Sequence, residues 1–450
     1  MVKYYDYIIV GMGPTGLTLG LSLMHTDKTV LFVEAASEVG GCWRTRFTHD
    51  GYFTEHSPKV LSRHGTHQFN RLLHFLGVAP DYRAIDPRSN FLHKTGGMLK
   101  QFAFTDVLKL LLYFLTYLVC LNDRWVSVRD WCAHNNISTT GRTYLNIVAV
   151  VLSNTYEKLT MHALFRFVVR RHQYMRTLDQ VVEPQKWIAA CYDLLRTNPN
   201  FAFRTNTRVE RVVTEGDRVT RVIVVKNDVE QEALAAKDYV LCVPVRALFK
   251  IMQRSREPNW FRSTVRFKRF ADRTTYTGIG FQLHYTDFVP VPEEWCWSCF
   301  DDWKIIVLDK TYQLKRLSYD LAVKQVLSCV IVDMDAKSQH LGKSANECAT
   351  LDEIVREGYR QVRKRYGNVR RTYPHKITVA RDIARSPEFG WEARDSSFSP
   401  VAGSLPWRGR LDNLYTVGPH NQMHEVVVID TAIESAKAFA TEVLKTQVPF

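Results

Sequence analysis

Gly11, Gly13 and Gly16, followed by a carboxylate at Glu34, are the residues whose types and spacing bear most directly on chemistry. They lie in Gly11-Met12-Gly13-Pro14-Thr15-Gly16, a pattern that lets a chain turn tightly, bring bare backbone against a pyrophosphate and start a helix packed close to a strand. The N–H groups of that helix start, Pro14 having none, and its partial positive charge suit a phosphate. A carboxylate about twenty residues on can accept both hydroxyls of a ribose. Together these residues describe a cradle for ADP-ribose.

The flanking elements fit that task. Tyr7-Ile8-Ile9-Val10 reads as a buried parallel strand before the glycines, and Val30-Leu31-Phe32-Val33 as the next strand, delivering Glu34 and Ala35 at its end. Six residues past Glu34 stand Gly40-Gly41-Cys42-Trp43-Arg44, where a second glycine pair lets the chain pass close to a cofactor too long to stop at the ribose. NAD and FAD share the first cradle.

With the GG-x-x-R segment following the βαβ unit, the chain resembles the FAD-dependent amine oxidase and phytoene desaturase superfamily. The resemblance implies non-covalent FAD, an α/β fold with a Rossmann-like FAD-binding domain (a parallel sheet with a β-meander) and an inserted α+β substrate domain. It implies a discontinuous FAD-binding domain over 1–75, 181–254 and 401–450, with 76–180 and 255–400 forming the substrate domain. Pro14, Thr15 and Trp43 then belong to the cofactor's surroundings, and Arg44 is placed to neutralise pyrophosphate charge. Cys42 stands where the family usually has arginine, and no cysteine lies in the C-terminal flavin segment to make a covalent link.

Two further pieces extend the resemblance. Phe201–Val212, Arg218–Val225 and Lys237–Pro244 read as β-rich runs separated by Glu215-Gly216-Asp217 and by a polar, alanine-containing loop, a meander whose last strand returns to the parallel sheet. By resemblance, Val209 would contact adenine, and Val243 and Pro244 would lie near the pyrophosphate side. The last piece is the strand Leu414–Val417 ending at Gly418, then an alanine-rich helix over 430–440 with Asp430 placed to cap it. In the superfamily that helix points its N-terminus at the flavin pyrimidine ring, where reduction places negative charge. Gly418, Val428, Ile429 and Asp430 are carried over as flavin neighbours, with the Ile429 N–H as donor.

Catalytic candidates are sparser, since a flavin carries the electrons itself. Thr277–Tyr285 alternates as a strand and offers Gly280, Gln282 and His284 where monoamine oxidases place a lysine, and Val428 stands where they carry a cage tyrosine. Amine specificity therefore does not follow. His284 can serve as an acid/base group or as a hydrogen-bonded core histidine. His56, in His56-Ser57-Pro58-Lys59, can contact ring or substrate or be structural. No second GxGxxG is present to hold NADPH; Gly278-Ile279-Gly280 lacks the third glycine. The resulting expectation is an enzyme moving hydride from a C–N or C–C bond of a small molecule to flavin N5, reoxidised by oxygen or another acceptor. A redox-neutral mutase resembling UDP-galactopyranose mutase, or a non-catalytic flavoprotein scaffold, stays open.

Composition sets the outer limits. The chain has 450 residues, 46% of them hydrophobic, enough for two domains. Its 60 Lys and Arg against 46 Asp and Glu give a formal charge of +14, compatible with an anionic partner, a membrane surface or an ordinary solvated exterior. Nucleic acid is not indicated, because no run of like charge reaches about five or six. The densest basic cluster is Arg166, Arg170, Arg171 and Arg176. Nine cysteines scattered through the chain argue for a reducing compartment. Cys296-Trp297-Ser298-Cys299 is the one close pair and lacks the partners of a zinc site; no metal is expected. The first strand starts within a few residues of Met1, so a cytoplasmic location is expected, without a signal peptide. Leu110–Leu121 is apolar but shorter than the roughly 20 residues that span a bilayer. It reads as a buried helix, with a lipid-surface contact or a tunnel wall as alternatives. Trp125, Trp131 and Tyr144 are expected in the core of that helical insert.

Overall fold

The computed structural model describes residues 4–450 except 64, 80, 86–101, 120–123, 153, 171–177, 182, 184, 257–259, 262–263, 277, 291–300, 312–321, 381, 394–396, 399–403 and 422–428. Cys296 to Cys299 and Val428 lie outside the described residues.

The chain opens with β1 (Tyr4–Val10), α1 (Pro14–Leu23) and β2 (Val30–Val33). Helices follow: α2 (His67–Phe75), α3 (Phe104–Leu118), α4 (Val128–His134), α5 (Thr139–Val151), α6 (Met161–Arg170) and α7 (Gln185–Arg196). The middle third supplies β3 (Phe201–Arg204), β4 (Thr207–Glu215), β5 (Arg218–Lys226), β6 (Glu230–Leu241) and α8 (Val245–Arg254). Then come β7 (Ile279–Tyr285), β8 (Ile305–Asp309), β9 (Gln325–Ile331), α9 (Leu351–Arg365) and β10 (Lys376–Val379). The last elements used below are β11 (Leu414–Thr416) and α10 (Ile429–Phe439).

Seven strands make the main sheet, in the order β3-β2-β1-β6-β5-β4 with β11 also against β6. Its parallel part is β3-β2-β1-β6-β11, in register Tyr7 with Val30, Val10 with Leu241 and Leu241 with Thr416. Both faces are covered. Ile8, Val10, Leu31 and Val33 pack on the side of α8, while Ile9, Val30 and Phe32 pack among α1, α7 and α10. This two-sided burial is why β1 and β2 read as continuous apolar runs.

Two details of the meander depart from the sequence reading. Phe201–Val212 is not one strand: Asn206 adopts a positive φ of 49°, and the break sends β3 to the edge beside β2 while β4 starts the meander. The expected polar loop before Lys237 is instead the first half of β6. Glu230–Leu234 pairs antiparallel with β5, and Ala235–Leu241 then runs parallel to β1. Cross-strand pairing overrides the weak β-propensity of Ala and Glu there.

The second sheet is antiparallel, β8-β9-β7-β10, with all seven residues of β7 and of β9 buried. Ile279, Phe281 and Leu283 pack with Ile354, Val355 and Val362 of α9. Thr350 caps α9, its hydroxyl accepting the Glu353 N–H. The observed parallel-rich sheet with its meander, and this separate α+β layer, agree with the fold class implied by the resemblance.

The helical insert holds two corrections. Trp131 and Tyr144 are buried, but Trp125 is 51% exposed. The apolar stretch forms α3, and one side of it is not buried: Leu108, Leu111, Leu112, Leu115 and Leu118 face solvent, while Leu110, Tyr113, Phe114 and Tyr117 pack against α6. Apolar composition gave no sign that the helix is covered along one side only. Among the described residues, no helix is long and apolar enough to cross a membrane.

Candidate functional site

A cavity of about 1320 Å³ runs along the C-terminal ends of β1, β2 and β6 and continues to the second sheet. Ligand pockets ordinarily reach about 1,000 Å³ at most, so this one has room for a dinucleotide and a second molecule.

Its first end is the glycine turn. Gly11 has φ +95°, and a Cβ there would meet the Cys242 carbonyl oxygen at 2.5 Å. A Cβ on Gly16 would collide with the Gly11 carbonyl. These two glycines serve the strand–helix junction itself. Gly13, which lines the cavity as Gly11 does, differs in its space: a Cβ on it would meet nothing nearer than Gly41 Cα at 3.9 Å. Its missing side chain leaves open space on the cavity side, as a backbone-held phosphate requires. No side chain caps α1, Pro14 opens it, and its first turn carries no acidic residue. Its N–H groups and positive end are therefore available to an anion.

Glu34 is buried at the end of β2. One carboxylate oxygen accepts the Met12 N–H at 2.8 Å and the other the Ala36 N–H at 2.9 Å. Glu34 thus ties the glycine turn to the loop after β2, and Ala35 lines the cavity beside it.

The second glycine pair divides in the same way. Gly41, Cys42 and Trp43 line the cavity; Gly40, at φ +111°, is held under the Ile188 side chain and does not. Arg44 also lies outside the lining. Its guanidinium donates to the carbonyls of Gly41, at 3.1 Å, and Glu38. The expected pyrophosphate partner is therefore occupied in pinning the loop that bears Gly41. Arg46 does line the cavity, paired with Asp382.

Pro14, Thr15, Val209, Val243, Pro244, Gly418 and Ile429 all line this one cavity. Residues from the beginning, middle and end of the chain meet because β1, β6 and β11 are neighbours in the sheet. Gly418 is held by its N–H to Asn421 and its carbonyl to the Ser435 hydroxyl. Burial drives the pKa of nearby His420 down to about 3, so its ring is neutral, and it bonds to Thr416 Oγ1 at 2.7 Å.

Asp430 is buried in the first turn of α10 and does not line the cavity. Its carboxylate accepts N–H groups at the start of another helix, from Phe69 at 2.9 Å and Gln68 at 3.2 Å. The expectation that it caps its own helix gives way to this tertiary bond.

The catalytic candidates separate. His56 lines the cavity, its ring stacked on Tyr276 at 6.2 Å. Gln282 and His284 do not. They sit on the face of β7 turned toward the segment 53–56, where Gln282 Nε2 donates to the Glu55 carbonyl at 2.9 Å. His284 Nε2 lies 3.0 Å from Thr378 Oγ1, which itself donates to the Phe53 carbonyl. Desolvation lowers the pKa of His284 to about 4. A Cβ on Gly280 would come within 2.6 Å of the Glu55 carbonyl, so that position has no space for the lysine of monoamine oxidases. These three residues position the backbone that carries His56.

The far end of the cavity was not legible in the sequence. Ile306 and Leu308 of β8, Val330 of β9, and Val148, Leu152 and Phe167 from the helical insert form an apolar chamber beside His56, Lys59 and Tyr276. Ile305–Asp309 gave no alternation to read, because both faces of that strand are apolar. Lys59 Nζ donates to the Ser57 carbonyl at 2.7 Å. Among the described residues no cluster of His, Cys, Asp and Glu could hold a metal ion.

Residues 9–77 match the model of an NAD(P)-binding Rossmann-like domain. No curated protein sequence matches. Solved structures do. A putrescine oxidase bound to putrescine has 14% identity and a TM-score of 0.63, with 98% of this chain and 99% of that one covered. Cyclohexylamine oxidase from Brevibacterium oxydans has 15% identity and a TM-score of 0.60, covering 98% and 100%. An oxidoreductase from Methanosarcina mazei has 12% identity and a TM-score of 0.60, covering 97% and 100%. Over nearly its whole length, this chain has the fold of those oxidoreductases.

Proposed function

We propose that this protein is an FAD-dependent oxidoreductase that takes hydride from a C–N or C–C bond of a small molecule, with oxygen or another acceptor restoring the cofactor. One observation carries the reading: a single cavity is lined by Val209 and Glu34, by the open backbone at Gly13, by Gly418 and Ile429, and by an apolar chamber. Its volume suits a dinucleotide with a redox end, and its apolar chamber suits the molecule to be oxidised.

In this reading Gly13 and the start of α1 receive the pyrophosphate, Glu34 the ribose, and Val209 the adenine. Ile429, at the N-terminus of α10, offers its N–H and the helix's partial positive charge where a reduced ring is negative. FAD, when bound, supplies the hydride-accepting atom. The protein's own work is to orient substrate against it and exclude water, and Ile306, Leu308, Val330 and Phe167 give the apolar wall for that. His56, held by Tyr276, is the imidazole best placed to exchange a proton with substrate. The segments 1–75, 181–254 and 401–450 form the cofactor-holding unit, and 76–180 and 255–400 the substrate unit. The supporting observation is that the main sheet draws its strands from the first set and the antiparallel sheet from the second.

Anaerobic mixing tests the reading. The purified protein should show a flavin spectrum that bleaches with an apolar amine, a polyprenoid or another oxidisable compound and returns in air. A mutase would require prior reduction and show no net turnover. Protein that stays colourless when offered FAD would overturn the proposal.

A further inference from the structure

We infer that α3 is a membrane-docking element, which lays its outer face on the surface of an anionic lipid bilayer. The inference does not depend on the cofactor reading.

The outer face of α3 is a continuous apolar stripe. Phe104 is 82% exposed and Val119, just past the helix, 61%; between them Leu108, Leu111, Leu112, Leu115 and Leu118 are each about half exposed. Spacings of three and four put them along one side. The two charged residues of the helix are both withdrawn from it. Asp106 is buried and accepts from Ser138, and Lys109 donates to the Asn135 carbonyl at 2.7 Å. Isolated exposed apolar residues are ordinary on a protein surface, but a stripe about four turns long is not.

The surroundings commit the face to lipid. Trp125, half exposed, and the exposed Arg124 follow close after the C-terminal end of α3. The Tyr117 ring of that last turn lies 5.1 Å from the His162 ring, and Arg124 and Arg166 are the cations that act on His162. An indole and arginines beside a helix whose free side is apolar but for Thr105 form the pattern of an interfacial helix: apolar side chains enter the acyl region, Trp takes the headgroup level and cations meet lipid phosphates. The formal charge of +14 favours an anionic surface further. A second copy of the chain would ordinarily meet a polar rim that fixes register, and the stripe itself offers only Thr105. On its inner side α3 packs into the same core as Leu152 and Phe167, which line the cavity, so the docking face and the apolar chamber share one helical layer.

Vesicle co-sedimentation tests this with the full-length protein. Vesicles of phosphatidylcholine with 30 mol% phosphatidylglycerol should carry most of the protein down. Leu111→Glu with Leu115→Glu should lower the partition at least tenfold, with the circular dichroism spectrum and melting temperature kept. Arg124→Glu should weaken binding to these vesicles several-fold and leave the weaker binding to pure phosphatidylcholine unchanged. The inference is overturned if wild-type protein stays in the supernatant, or if the double variant binds as well as wild type. It is also overturned if light scattering shows a wild-type dimer that the double variant converts to monomer, which would make a second copy the occupant of the face.

Discussion

The Asp430 carboxylate accepts the Phe69 N–H at 2.9 Å, joining the first turn of α10 to the first turn of α2 across 361 positions of sequence. Thr66, at the N-cap of α2, gives no side-chain cap; its hydroxyl donates to the Ser62 carbonyl. Asp430 therefore does for α2 what a local Ser or Asp usually does, and fixes the helix whose N-terminus faces the cavity.

Asp430→Ala should lower stability by about 1–3 kcal/mol, because two N–H groups at a buried helix start lose their acceptor. Urea denaturation of the purified variant measures it. Asp430→Asn, which keeps one oxygen, should lose less; equal losses would show that the two bonds do not carry the effect.

The two kinds of glycine predict two kinds of failure. Gly13→Val should fold with near-normal melting but retain little flavin, since its side chain enters the open cavity. Gly16→Ala should melt well below wild type, because its Cβ would press on the Gly11 carbonyl. Melting curves with flavin absorbance after gel filtration separate the outcomes.

Glu34→Ala should weaken FAD retention by roughly ten- to a hundredfold, a loss of about 1.4–2.8 kcal/mol. The variant loses the acceptor proposed for the ribose and also the bonds that tie Met12 and Ala36 together. Equilibrium dialysis reads the change, and full colour after exhaustive dialysis would count against the assignment.

His284 gives a pH dependence with a definite sign. Its pKa is about 4 in the folded protein against 6.5 for an ordinary histidine, because burial disfavours the cation. Between those values the unfolded chain binds the proton and the folded one does not, so stability is undiminished above pH 6.5 and falls as pH drops toward 4. The loss from this residue is roughly 3 kcal/mol at most. His284→Gln should flatten that part of the melting temperature against pH profile relative to wild type.

Gly11 to Gly16, Glu34 and the apolar runs around them were legible in the sequence because that cradle is local: a strand, a turn and a helix start fix one another within thirty residues. The sequence did not show that Arg44 pins a loop rather than facing the cavity, nor that Gln282 and His284 serve the backbone at 53–56, because a side chain's type does not state which way its strand is turned.

Local spacing by itself determined a tight glycine turn between a strand and a helix, a carboxylate at the end of the next strand and an α/β fold. Tertiary structure decided the rest: that Gly418 and Ile429 complete the same cavity, that Asp430 caps a distant helix, and that the apolar face of α3 lies outside the core. The physical reason is common to all three. Hydrogen bonds and burial depend on which element becomes a neighbour, and neighbours in this sheet lie hundreds of residues apart in the chain.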